Sequence, residues 1–231
     1  MVSTLVYAFF GGLAPSLVWL YFLLKEDSRC PEPKLLIALA FIAGMCAVPL
    51  ALPLEIYAQS SLGGTPVLAW AIIEEVLKYL MAALFILWRS SVDEPPDYVI
   101  YMMTVALGFA AAENMLFLFA PLSAGQFALG LFTGDQRFVG ATLLHVTASS
   151  LVGFSLALSS AARPLQRILA VTAGLILAIA LHTVFNTIIM HNKSASTLDA
   201  FFLVWVAVVV TFAALEVLKY FRYRNLPPNT C

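Results

Sequence analysis

The stretch A-I-I-E-E-V-L-K-Y-L (71–80) sets two carboxylates and an ammonium, Glu74, Glu75 and Lys78, into an otherwise hydrocarbon-like run. Charge at bilayer depth costs from about 3 to more than 10 kcal/mol by different measures, so its retention calls for a function. Further on, Glu113 stands in F-A-A-A-E, His145 in T-L-L-H-V, and His182 with Asn186 in L-H-T-V-F-N, each inside a similarly apolar run. Buried carboxylates beside neutral imidazoles suit water activation: a glutamate takes a proton from water, and His or Asn donors stabilise the oxyanion formed on an attacked carbonyl. Two histidines and a glutamate also make an acceptable zinc shell with one position left for water, although no H-E-x-x-H spacing accompanies them. Nucleophilic catalysis fits less well. Cys46 has no histidine beside it, and Ser149 lacks a G-x-S-x-G turn.

The elements that must carry these groups are transmembrane helices. Of 231 residues, 62% are hydrophobic and 11% charged, and mean hydropathy is +0.94, whereas about a quarter of a soluble domain is charged. A spanning helix needs about 20 apolar residues. Such runs fall at about 2–24, 35–57, 65–88, 98–120, 138–160, 168–190 and 199–221, which predicts an all-α bundle of seven transmembrane helices. Nothing is left over for a soluble domain, so 1–231 reads as a single polytopic membrane domain, with the catalytic helices at about 65–190. The first run lacks the basic start and A-x-A site of a cleaved signal and reads as a helix. A net charge of -1 gives no reason to expect a nucleic-acid partner. Cys30, Cys46 and Cys231 form no C-x-x-C pair and are odd in number, so no disulfide framework or cysteine metal site is expected.

Orientation follows from basic residues. Lys25, Arg29, Lys34, Arg89, Arg163, Arg167, Lys219, Arg222 and Arg224 fall at one end of the seven spans, against Arg137 and Lys193 at the other. The positive-inside rule then puts the N-terminus outside and the C-terminus in the cytoplasm. At 1.5 Å per residue, Glu74 lies roughly 14 Å below the outer boundary, Glu113 roughly 12, His145 roughly 10, His182 roughly 14 and Asn186 roughly 8. Four helices thus bring polar groups to one stratum in the outer half of the bilayer. Hydrocarbon offers these groups no partner, and a shared polar cavity opening outward would satisfy them together.

Within span three, Glu74 and Lys78 are i,i+4 neighbours and can pair, which leaves Glu75, about 100° around the axis, available for chemistry. His182 and Asn186 share a face, as do Thr142, His145 and Ser149, with Arg137 two turns before. Taken singly, each charged group has a bland reading: Glu74, Glu75 and Lys78 as a structural ion-pair network, and either histidine as an interhelical hydrogen-bond partner. Their common depth favours chemistry. Glu55, Glu216, His191 and Asp199 sit near span ends and read as solvated. The outer connection L-S-A-G-Q-F-A-L-G-L-F-T-G-D-Q (122–136), apolar yet rich in glycine, is expected to fold back over the cavity as a gate.

The motifs E-E-V-L-K (74–78), F-A-A-A-E (109–113) and H-T-V-F-N (182–186), in that order on successive helices and joined by Arg137 and His145, resemble those of the PrsW family of intramembrane proteases. That family lies within the wider superfamily of CAAX-processing proteases and bacteriocin-processing relatives, which includes a scaffold subunit of gamma-secretase. By the analogy with CAAX proteases, Glu74 would activate water and His182 and Asn186 would bind the oxyanion, with Lys78 and Arg137 in support. The second motif departs from the CAAX pattern, with Glu113 where those enzymes carry histidine. Either His145 fills the vacated role or Glu113 joins His145 and His182 around a metal such as zinc; which of Glu74 and Glu75 activates water stays open. The resemblance implies a multi-pass protein of a prokaryotic inner membrane. It also implies membrane-anchored protein substrates, such as a single-pass anti-sigma factor, cut near the extracytoplasmic face. Two alternatives differ in kind: a non-catalytic scaffold, and a proton-coupled transporter, which the lack of polar residues below the cluster disfavours.

Overall fold

The computed structural model describes residues 2–191 and 195–224, and among them the chain is helical with no strand. The elements are α1 (Val2–Glu26), α2 (Lys34–Leu62), α3 (Val67–Phe85), α4 (Pro95–Ser123), α5 (Phe127–Gln136), a π-helical turn (Arg137–Ala141), α6 (Thr142–Leu158), α7 (Pro164–His191) and α8 (Ala195–Tyr223). Because α5, the π turn and α6 are continuous, the described residues form seven rods. Six are long and apolar enough to cross a membrane. The seventh, α3, has 19 residues, about 28 Å at 1.5 Å per residue, but Glu74, Glu75 and Lys78 make it more polar than the rest.

Helix α4 is the hub. It is apolar on every side, buried without interruption from Pro96 to Ala111, and packs chiefly on α6, α1 and α2. Its start is fixed by a reciprocal cap between Glu94 and Asp97, with proline in the first turn. Where α2 crosses α4, two glycines face backbone: a Cβ on Gly44 would lie 1.9 Å from the Val105 carbonyl oxygen, and one on Gly108 would lie 1.9 Å from that of Phe41. Small residues at such crossings let helix backbones approach closely. That approach brings α2 against the side of α4 that leads up to Glu113.

The region expected to be a gate loop is helical. Gly125 turns the chain with φ 74°, and from Phe127 onward α5 runs without a break into α6. Gly130 is what lets α5 lie against the end of α4, since a Cβ there would meet the Leu122 side chain at 2.9 Å. Glycines that resemble loop chemistry in the sequence are therefore packing residues of a helical hairpin.

At the basic end, carboxylates tie distant segments together. The Tyr101 hydroxyl of α4 donates to Glu32 in the α1–α2 connection, and the Glu32 amide donates to Asp27. Arg222 and the Tyr223 hydroxyl of α8 both donate to Glu94, at 3.0 and 2.5 Å. Burial pushes Glu32 up to about 9, with the neighbouring Asp97 carboxyl adding to the shift, and pushes Asp27 up to about 7. Cys46 is free.

Candidate active site

Five of the six residues expected to do chemistry converge from α3, α4, α6 and α7. Glu74, Glu75, His145 and His182 are at most 5% exposed, and Lys78 is fully buried among them. Glu113 and Arg137 are the least enclosed members, with side chains 19% and 13% exposed. The groups pack on one another. Asn186, one turn beyond His182, is half-buried and makes no hydrogen bond to the cluster among the described residues.

The pairing inside α3 is the reverse of the expectation. The Lys78 ammonium lies 2.6 Å from Glu75 Oε1 and 3.8 Å from Glu74 Oε2. Glu75 wins because it is also held from other helices: Ser149 Oγ of α6 donates to its Oε2 at 3.0 Å, and His182 Nδ1 of α7 lies 2.8 Å from its Oε1. A buried carboxylate with donors at both oxygens is a structural anchor. Glu74 is the one left over: its Oε2 is buried and has no hydrogen-bond partner.

The tautomers follow from the donors. Lysine can only donate, so at 2.8 Å from Lys78 Nζ the Nδ1 of His145 is an acceptor and its Nε2 carries the proton. That Nε2–H donates to Glu113 Oε2 at 2.8 Å. Facing ionised Glu75, His182 Nδ1 carries the proton, which leaves its Nε2 lone pair directed at Glu74 Oε2, 3.8 Å away. The two imidazole rings stand edge to face, centroids 5.2 Å apart.

Glu113 is in turn held by Arg137, whose terminal nitrogen donates to Oε2 at 2.6 Å. Arg137 Nε donates to Asn114 Oδ1 at 2.5 Å, and Asn114 Nδ2 donates to Thr142 Oγ1 at 3.0 Å. Asn114 was not among the residues singled out from sequence. Its only signal was a second intramembrane polar side chain immediately after Glu113, which is unusual in an apolar span. The π turn begins at Arg137 itself, adding a residue to the helical turn at the point where its side chain meets α4.

This geometry can be set beside known proteins. A sequence profile described as PrsW family intramembrane metalloprotease matches residues 32–215. The chain belongs to that family. Protease PrsW of Geobacillus kaustophilus (strain HTA426) is 26% identical over 228 residues, which is 94% of this chain and 95% of that protein. Protease PrsW of Bacillus subtilis (strain 168) is 27% identical over 113 residues, 47% of this chain and 52% of that protein. No solved structure matches. As a PrsW family member the chain is a multi-pass membrane protein and an intramembrane protease, and nothing in these comparisons supports a scaffold or a transporter.

The PrsW description implies a metal, and the donor set fits one. One oxygen of Glu74 and one nitrogen each of His145 and His182 lie within 4.8 Å of one another. Glu74 Oε2 is 3.8 Å from His145 Nδ1 and 3.8 Å from His182 Nε2, against roughly 3.4 Å between two ligands of a tetrahedral zinc with bonds near 2.0–2.1 Å. All three atoms can offer a lone pair to one ion, although that of His145 Nδ1 meets the Lys78 ammonium at 2.8 Å. Each histidine has a carboxylate behind its other nitrogen, Glu113 for His145 and Glu75 for His182, the usual backing of metal-binding imidazoles. Formally, two cations, Lys78 and Arg137, face three carboxylates. The grouping differs from the set expected from sequence in using Glu74 where Glu113 was named, because both Glu113 neighbours, Arg137 and the His145 Nε2–H, already claim its Oε2.

Proposed function

We propose that this PrsW family member hydrolyses peptide bonds of membrane-anchored proteins near the extracytoplasmic face, with the attacking water held by Glu74, His145 and His182. The observation that carries this reading is the buried, unpartnered Glu74 Oε2 facing the unprotonated nitrogens of two imidazoles. With no metal on it, Glu74 Oε2 is the atom that takes the proton from water. Glu75, Ser149 and Lys78 fix the His182 ring through its Nδ1–H, and Glu113 with Arg137 fixes that of His145 through its Nε2–H. Asn186, one turn along the same helix face, is positioned to donate to an oxyanion formed next to His182. A divalent metal such as zinc held by Glu74, His145 and His182 would lower the pKa of water and polarise the scissile carbonyl.

The nine basic residues at one end of the rods support a cytoplasmic C-terminus, with the cluster toward the outer side of a prokaryotic inner membrane. Such placement suits a single-pass substrate, an anti-sigma factor for instance, whose chain enters from the extracytoplasmic side. The decisive experiment is cleavage of single-pass substrates by the purified protein in liposomes, with and without chelator and with added zinc. Turnover abolished by Glu74→Gln and by His182→Ala supports the reading; turnover unchanged in Glu74→Gln overturns it.

A further inference from the structure

Lys78 Nζ lies against two of the three candidate metal donors, 2.8 Å from His145 Nδ1 and 3.8 Å from Glu74 Oε2. A nitrogen lone pair cannot serve an ammonium and a metal at once. We propose that Lys78 is a placeholder cation, which holds His145 Nδ1 in the metal-free protein and must yield it when metal binds, so that this lysine sets the metal affinity of the site. This rests on the reading of Glu74, His145 and His182 as metal ligands.

The surroundings of Lys78 suit a charge that moves a short way. Its ammonium keeps Glu75 Oε1 at 2.6 Å and lies 4.5 Å from the centre of the Phe109 ring. Rotation about the last side-chain bonds releases His145 Nδ1 without leaving the charge unpaired, since the carboxylate and the aromatic face both remain. Without metal, the ammonium offsets the lone pairs that would otherwise repel one another, and it keeps the His145 ring turned with Nε2–H on Glu113. The donor set is thereby preorganised, and the ammonium weakens metal binding by occupying a ligand and by its like charge.

Two measurements on the full-length protein in lipid nanodiscs test this. The chain has three histidines, so selective ¹⁵N-histidine labelling gives three imidazoles to follow. On addition of zinc, the Nδ1 resonance of His145 and the Nε2 resonance of His182 should shift while His191 stays in place. Cobalt affinity, read from d–d absorption in competition with a chelator, should rise at least tenfold in Lys78→Met and stay within threefold of wild type in Lys78→Arg. A shift of His145 at Nε2, or a folded Lys78→Met protein that binds cobalt no more tightly than wild type, overturns the proposal. If Lys78→Met does not fold, the labelled wild-type protein decides alone. Absence of any shift at both histidines removes the placeholder role and leaves metal-free hydrolysis standing. Exchange at Nδ1 in a protein that cuts no substrate keeps the placeholder and removes the hydrolase.

Discussion

Two adjacent glutamates on α3 carry opposite predictions. Glu74 Oε2 has no hydrogen bond to lose, so Glu74→Gln should keep the fold, with a melting temperature close to wild type, while turnover falls by about 10²–10⁴ as expected for loss of a general base. Glu75 is held by Lys78, His182 and Ser149, and Glu75→Gln takes the nearest carboxylate from a buried ammonium. Breaking a buried pair in this way costs about 3–5 kcal/mol, which denaturant titration in detergent should register as lost stability. Arg137 serves two acceptors on different side chains with two different nitrogens, which a lysine cannot match. Arg137→Lys should therefore lower kcat at least tenfold with a small change in KM. At this scale the sequence named residues that the fold brings together but not how they pair. The i,i+4 rule favoured Glu74 as the partner of Lys78, and what overrides it, the Ser149 and His182 donors, comes from α6 and α7. Asn114 carried no motif and became legible only through its contacts with Arg137 and Thr142.

Among elements, the crossing of α2 and α4 and the π turn ahead of α6 set the site. Gly108→Leu should abolish accumulation of folded protein, because its Cβ would fall 1.9 Å from a backbone oxygen that cannot move aside; expression in membranes followed by gel filtration reads this. Deleting Val139 from the π turn should restore regular α-helix and rotate everything before it by about 100°, taking Arg137 off Glu113. Activity should be lost while the protein remains helical by circular dichroism. The seven helices were legible because about 20 apolar residues in a row have few other uses. The boundary between α5 and the preceding turn was not, because a glycine such as Gly130, whose added Cβ would meet a leucine at 2.9 Å, resembles a glycine in a loop when only composition is visible. A π turn has no sequence signature at all; it is the residue by which Arg137 on one helix must be offset to meet two residues of another.

For the whole molecule, the carboxyl groups at the basic end predict a pH response. Glu32 and Asp27 both bind a proton more tightly in the fold than their usual 4.5 and 3.8 would allow, holding it to about 9 and about 7. The folded protein therefore binds more protons than the unfolded chain between these limits, and stability falls as pH rises through them. Thermal unfolding in detergent should show a melting temperature that declines from pH 5 to pH 9, with a shallower decline in Glu32→Gln. A second consequence concerns biosynthesis. Helix α3 brings three ionisable side chains into the translocon, of which a mid-helix lysine alone costs about 2.5–3.5 kcal/mol on insertion scales, and their partners His145, Ser149 and His182 have yet to be translated. Stable integration of this segment must wait for the second half of the polypeptide, and chains truncated ahead of Thr142 should be extracted and degraded.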